Sequence, residues 1–236
     1  MEDTVSKKDT KEQTYGTLYL VSTPIGNRED ITLRALRVLK KSDIVVCESL
    51  KEGARLLKHF NISKKLEPIN EQNEFERSDE IIAILKGGKD VAMISDAGTP
   101  VFEDPGDIIV KKALAQDIPL TVVPGVSSIM TALVRSGFSM DHFRYAGFLS
   151  RNKDERIAQL KRLSDEASTV VILETPYRLI PILEAANSVM PERRAYLGIN
   201  LTMNYETHHY GTFKELYDKF RGQRFKGEFE IGRAHV

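Results

Sequence analysis

Apolar positions along this chain come in short runs separated by helical stripes. Residues 18–22, 43–48, a run opening at Val91, and 120–123 each collect apolar side chains and close on turn-forming residues, as buried strands do. Between them Leu33, Leu36, Val38 and Leu39 recur at helical spacing after Asp30 and Thr32, either of which can cap a helix. A short helix is expected over 52–60, another around Ile81, Ile82, Ile84 and Leu85 with a stop at Gly87-Gly88, and another over 106–115. Strands alternating with helices predict an α/β domain with a largely parallel sheet. In the second half the pattern predicts helices over 126–135, 153–166 and 179–189. It predicts strands over 143–149, 169–173 and 195–201, and a last segment over 208–213. Its crossovers are less regular and its strands hairpin-like, so a mixed sheet is expected. The reading is two α/β domains, 15–125 and 126–229, with a cleft between them.

Three strands of the first half end in small-residue turns: Thr23-Pro24, Ser95 to Pro100, and Pro124 to Ser128. If those strands are parallel, the three turns share one edge of the sheet, where open α/β sheets bind ligands. The sharpest stretch is Val91-Ala92-Met93-Ile94-Ser95-Asp96-Ala97-Gly98-Thr99-Pro100, an apolar run that breaks into an acid, small residues and proline. Neither the Gly-x-Gly-x-x-Gly nor the Gly-x4-Gly-Lys-Ser/Thr phosphate pattern occurs. Alanine, serine, threonine and proline instead offer backbone groups and hydroxyls to a compact, mostly uncharged ligand such as an adenosine moiety.

Composition narrows the picture. The chain has 236 residues with 34 basic and 34 acidic side chains, so bulk charge does not draw it to nucleic acid, although local patches remain open. Its single cysteine, Cys47, lies in the run Ile44-Val45-Val46, suits a reducing cytosol and is read as a buried packing residue. No apolar run approaches the about 18 residues of a membrane span, and residues 1–14 lack the apolar core of a signal peptide. The expected location is therefore cytoplasmic, with 1–14 a disordered lead-in. The last seven residues, 230–236, resemble a translated sequencing-adapter fragment and are read as a non-native tail. No metal site is expected: His208 and His209 are adjacent, so on a strand they point to opposite faces. They are read as two histidines at a solvent edge.

Residues 16–27, Gly-Thr-Leu-Tyr-Leu-Val-Ser-Thr-Pro-Ile-Gly-Asn, followed by residues 29–36, resemble the start of the bacterial small-subunit ribosomal RNA 2′-O-methyltransferases of the tetrapyrrole methylase superfamily. Ile94 to Pro100, Asp104-Pro105-Gly106, Val123-Pro124-Gly125 and Glu174-Thr175-Pro176-Tyr177-Arg178 follow in that family's order. Lys226-Gly227-Glu228-Phe229 resembles its closing motif. The resemblance implies a two-domain α/β methyltransferase that holds S-adenosylmethionine in the interdomain cleft, usually as a homodimer, and takes part in rRNA processing and ribosome biogenesis. It implies cofactor contacts at Pro24, Asp96, Ala97, Gly98, Thr99, Pro100, Ser127, Ser128, Thr175 and Pro176. The partner it implies is small-subunit ribosomal RNA or the ribosomal subunit.

Two segments depart from the family. Where Asp-Thr-Arg is expected after Glu48, the chain has Ser49-Leu50-Lys51, and where Ala-Arg-Glu-Leu-Thr is expected it has Gly198-Ile199-Asn200-Leu201-Thr202. The cofactor side is thus kept while the acceptor side loses charged groups. Glu48 and Lys51 remain as catalytic candidates, a carboxylate for the hydroxyl proton and a cation for phosphate. Lys51, Tyr177, Arg178 and Asn200 are the acceptor candidates, with Tyr177 and Arg178 also able simply to cap a helix. Arg151, Lys153, Arg156, Lys161 and Arg162 read as a solvated helix face, and Lys214, Lys219, Arg221, Arg224 and Lys226 as the better basic cluster. The expected activity is 2′-O-methylation of a ribose in small-subunit ribosomal RNA. A diverged paralogue with another RNA or small-molecule acceptor is the first alternative, and a non-catalytic cofactor- or RNA-binding protein the second.

Overall fold

Short apolar runs form the centre of both sheets in the computed structural model, which describes residues 14–223 and the backbone of Ala234 and His235. The expected lead-in, the closing motif and the rest of the expected tail lie outside the described residues. Contacts divide the chain into two units. One comprises the chain up to Val21, Arg34–Ser95 and Pro100–Val123; the other comprises Ser22–Leu33, Asp96–Thr99 and the chain from Pro124 onward.

The first unit holds β1 (Leu18–Val21), β2 (Ile44–Cys47), β3 (Lys65–Pro68), β4 (Val91–Ile94) and β5 (Leu120–Val123). They form one sheet in the order β3-β2-β4-β1-β5, with every neighbouring pair parallel. Its helices are α1 (Leu33–Lys41), α2 (Leu50–His59), α3 (Glu74–Lys86) and α4 (Asp107–Ala115). β2 and β4 are buried along their whole length, which is why they read as unbroken apolar runs. Leu20, Val46, Met93, Ile81, Leu85 and Ile109 share one core. Cys47 is buried, and a side chain at Gly53 of α2 would meet its Sγ at 2.8 Å, so the cysteine is a packing residue under a closely seated helix. The strand β3 was not expected. It is an edge strand of sequence Lys-Leu-Glu-Pro with no fully buried side chain, so apolar pattern cannot reveal it.

Parallel strands put all their C-terminal ends on one edge, as the three small-residue turns require. The turn after β4 is held from a distance. Glu74, buried at the start of α3, accepts hydrogen bonds from the Gly106 and Ile108 backbone amides at 2.9 and 2.8 Å, capping α4 in place of a local side chain. Gly106 has φ 131°, a conformation that side chains rarely adopt, and this turn therefore favours glycine.

The second unit holds β6 (Phe143–Phe148), β7 (Thr169–Glu174), β8 (Arg194–Ile199), β9 (Thr207–Thr212) and β10 (Ala234–His235), in the order β6-β7-β10-β8-β9. β6 and β7 are parallel, β8 and β9 form an antiparallel hairpin, and β10 runs antiparallel to β7 and β8, giving the expected mixed sheet. Its helices are α5 (Ser128–Ser136), α6 (Lys153–Ser164), α7 (Leu179–Val189) and α8 (Phe213–Phe220). Side chains alternate along β7. Ile172 packs with Leu160, Leu179, Ile182 and Phe213, while Val171 and Leu173 pack with Ile129 and Leu133 of α5. Ser127 caps α5, which ends at Gly137 with φ 71°, and Asn152 caps α6.

Two expectations need correction here. The last segment does not end at Phe213, because α8 follows. Its start is marked by a capping box between Thr212 and Glu215, a legible signal that the apolar pattern alone passes over. Arg156 does not belong to a solvated face: it is buried, and its Nη1 donates to the Ser150 and Arg151 carbonyls at 3.0 and 3.2 Å.

Replacing Glu74 by alanine leaves one buried and one half-buried amide without an acceptor and is expected to lower unfolding free energy by about 2–4 kcal/mol in urea denaturation. A loss below about 0.5 kcal/mol, the scale of a surface change, would contradict the capping role.

Candidate functional site

The small-residue turns meet within the second unit. Thr23 and Gly98 exchange two backbone hydrogen bonds, Thr23 N to Gly98 O at 2.8 Å and Gly98 N to Thr23 O at 3.1 Å, forming an isolated antiparallel bridge. Beside it the Ser22 and Thr99 hydroxyls lie 2.9 Å apart. Gly98 takes φ 80°, the left-handed region, and a Cβ added there would sit 3.5 Å from Ile25 Cγ2. Gly125 approaches more closely still, since its Cβ would fall 2.8 Å from that of Ser22. Ser127, two residues on, is used as the α5 cap, and its carbonyl accepts the Thr131 hydroxyl. The structure thus gathers Pro24, Gly98, Thr99 and the turn into α5 around one backbone bridge.

The same wall continues into a region that sequence pattern could not join to it. Gly26 lies under the Leu201–Thr202 backbone, where a Cβ would meet Leu201 O and Thr202 Oγ1 at 2.7 Å, and the Asn27 amide donates to Thr202 Oγ1 at 2.9 Å. Ile25, Ala132, Tyr196 and Leu201 pack together beneath. Asn200 and Thr202 both have positive φ, 57° and 68°, so this loop is held in conformations that cost energy outside glycine. Glu206 holds it: one carboxylate oxygen accepts the Thr202 amide and the other meets His208 Nε2 at 2.7 Å. His208 Nδ1 is 2.7 Å from the Tyr196 hydroxyl. Burial pushes the Tyr196 phenol up to about 12. The histidines do face opposite sides, as expected. They are half-buried packing residues rather than solvent-edge ones, with His209 against Phe220 and Lys219. Burial and the nearby Lys219 lower the pKa of His209.

Because β6 and β7 are parallel and both β7 and β8 oppose β10, the C-terminal ends of all three point to one edge of the second sheet. That edge carries Ser150, Glu174 to Arg178, and Asn200. Glu174 is fully buried. Its Oε1 accepts the Thr175 amide at 2.8 Å and pairs with Arg178 Nε at 3.2 Å, while Oε2 has no hydrogen-bond partner among the described residues. Burial raises its pKa, with the Thr175 amide and Arg178 pulling the other way. Arg178 also donates to the Leu149 and Ser150 carbonyls at 2.6 and 3.4 Å, so its fork is engaged in holding the turn. Tyr177 is 59% exposed. In the first unit Glu48 and Lys51 are exposed at the end of β2 and the start of α2. Glu48 lines one indentation with Ser95, Pro100 and Asp104. Ser49, one of the departures, serves as the α2 cap.

A cavity of about 380 Å³ lies in the second unit, lined among others by Leu133, Val171, Ala195, Tyr196 and Phe213. It sits along the first halves of β7 and β8, away from the strand ends that carry the turns. Size is outweighed here by chemistry, because the turns hold the convergent polar groups. Among the described residues no group of three His, Cys, Asp or Glu side chains is placed to hold a metal ion. Nor is any described helix long and apolar enough to cross a membrane.

The family profile described as Tetrapyrrole (Corrin/Porphyrin) Methylases matches residues 17–217. The Pseudomonas aeruginosa protein named "Ribosomal RNA small subunit methyltransferase I" is 40% identical over 204 residues, 86% of this chain and 72% of that protein. The Thermotoga maritima protein of the same name is 36% identical over 216 residues, covering 92% and 97%. Among solved structures, a diphthine synthase aligns with TM-score 0.71 at 15% identity over 94% of this chain and 89% of its own. A uroporphyrin-III-C-methyltransferase from Thermus thermophilus aligns with TM-score 0.62 at 22% identity over 94% of each chain. These two likenesses establish the fold.

A carboxylate whose pKa is raised on folding leaves the native state best favoured below its unfolded value near 4.5, and the advantage is lost as pH rises past it. Glu174→Gln is therefore expected to compare progressively better with the native chain between pH 4 and pH 7. The gain is about 1.4 kcal/mol for every tenfold difference in proton affinity between the two states. Urea denaturation at the two pH values measures it, and a difference that is flat or falls with pH would contradict the burial argument.

Proposed function

Because this chain belongs to the tetrapyrrole (corrin/porphyrin) methylase family, and is thereby an S-adenosylmethionine-dependent methyltransferase, we propose that its acceptor is a ribose 2′-hydroxyl of small-subunit ribosomal RNA. What carries the acceptor reading is identity of 36–40% across nearly the whole chain to proteins named as small-subunit ribosomal RNA methyltransferases. The 2′-oxygen itself comes from the resemblance of the opening and Glu174-to-Arg178 motifs, and it belongs to this proposal. The homodimer does as well, and exposed Met130 and Val134 on α5 are apolar side chains that such an interface would cover. A cytoplasmic location completes the reading.

The residues of the loop suit the cofactor. Gly98, at φ 80°, presents bare backbone, and the paired Ser22 and Thr99 hydroxyls lie beside it. S-adenosylmethionine, when bound, brings a methyl already activated on a sulfonium. The chain then has to bind, orient and manage one proton. Thr23 to Ile25, Asp96 to Pro100 and the turn at Ser127-Ser128 present backbone groups and small hydroxyls for the first two tasks, with Thr175-Pro176 as a further edge. In this reading Glu48 accepts the hydroxyl proton, while Lys51 meets phosphate as a point charge and Tyr177 offers a stacking face. Asn200 stands where the family carries an acid, so it orients the acceptor through hydrogen bonds and cannot take its proton.

That substitution, together with Ser49-Leu50-Lys51, specifically favours a second reading, a paralogue with the same cofactor and another acceptor. Incubation of small-subunit ribosomal RNA with enzyme and labelled S-adenosylmethionine, followed by mapping of alkali-resistant positions, separates the two. The first predicts label on a ribose oxygen, and label confined to a base or absent altogether would reject it. Gly98→Arg, which adds a long side chain to the loop and cannot easily keep φ 80°, is expected to lower cofactor affinity at least about 100-fold in calorimetry. Unchanged affinity would show that the loop does not bind the cofactor.

A further inference from the structure

The sequence offers basic stretches on three helices, and on two of them the structure ties up part of the charge. On α6, Arg156 is buried and Lys153 pairs with Glu184 at 3.8 Å. On α8, Lys214 and Arg221 both pair with Asp218, at 3.2 and 3.3 Å, and Lys219 lies 2.9 Å from His209 Nδ1. The third is α1. Its nine residues carry Arg34, Arg37, Lys40 and Lys41 and no acid. At the helical turn angle these four fall within about 120° of arc, opposite buried Ala35 and Leu39. Lys41 pairs with Asp90 at 3.6 Å, and Arg34 makes one long contact, 3.5 Å, to the Val122 carbonyl. Arg37 and Lys40 have no ion pair or hydrogen bond among the described residues.

Helix stability does not explain this row. Lys40 and Lys41 suit the negative C-terminal end, but Arg34 stands in the first turn, where the helix dipole disfavours a cation and no acid accompanies it. Four like charges on one face also repel, in a chain whose net charge is zero. A single small anion is better held by converging donors than by a row. From Arg34 to Lys41 the row runs about 10 Å along the helix, which matches a chain of phosphates instead.

We propose that the outer face of α1 binds the phosphate backbone of the RNA acceptor, with Arg34, Arg37 and Lys40 each meeting a phosphate. This rests on the ribosomal RNA reading above and adds where that RNA is held. Such contacts position the substrate without reading its sequence.

The test is binding of a small-subunit ribosomal RNA transcript by the full chain, measured over a range of salt concentrations. The comparison is with Arg34→Ala/Arg37→Ala/Lys40→Ala and with Lys214→Ala/Arg221→Ala on α8. The α1 variant is expected to bind more weakly and to reduce the slope of log affinity against log salt by about 2–3, while S-adenosylmethionine affinity and thermal unfolding stay as in the native chain. The α8 variant is expected to keep the native slope. Native affinity and slope in the α1 variant would overturn the proposal and leave the ribosomal RNA reading standing. A native chain that does not bind the RNA would overturn both.

Discussion

Two backbone hydrogen bonds between Thr23 and Gly98 set the geometry on which the candidate site depends. They join the loop after β1 to the loop after β4, although the two strands are already neighbours in a parallel sheet. The bridge requires Gly98 in the left-handed region, and that conformation keeps the loop free of side-chain bulk where it meets Ile25. Contacts consequently place Asp96–Thr99 and Ser22–Leu33 with the second unit, while the strands that deliver them belong to the first.

Support for the wall is long-range and polar. The Asn27 amide reaches Thr202 across 175 residues, and the Glu206–His208–Tyr196 series pins the strained loop that Thr202 ends. Glu74 does the same for the turn into α4. Paired polar groups of this kind define one arrangement where apolar packing alone would permit several. Glu174 differs, since one of its oxygens is buried without a partner and its proton affinity rises accordingly.

Much of this was legible in the residues. Apolar runs ending in small-residue turns identified β1, β4 and β5, whose parallel pairing put those turns on one edge, and an apolar run likewise identified β7 in the other sheet. What stayed hidden has physical causes. β3 is an edge strand without an apolar pattern, and α8 is announced by its capping box rather than by a stripe. Arg156 looks like any charged helix residue until its internal carbonyl partners are seen. The link from Gly26 to Leu201 depends on the absence of a side chain, which no periodicity records. Glycines in turns were visible from the start; which backbone each one admits was not.

The central claim is that the Thr23–Gly98 wall is where the methyl donor binds. A crystal structure with S-adenosylhomocysteine tests it most directly. The account predicts ligand density against Gly98, Thr99 and Pro24, with the turn at Ser127 beside it. Density instead in the cavity along the first halves of β7 and β8, with the Gly98 loop bare, would contradict it.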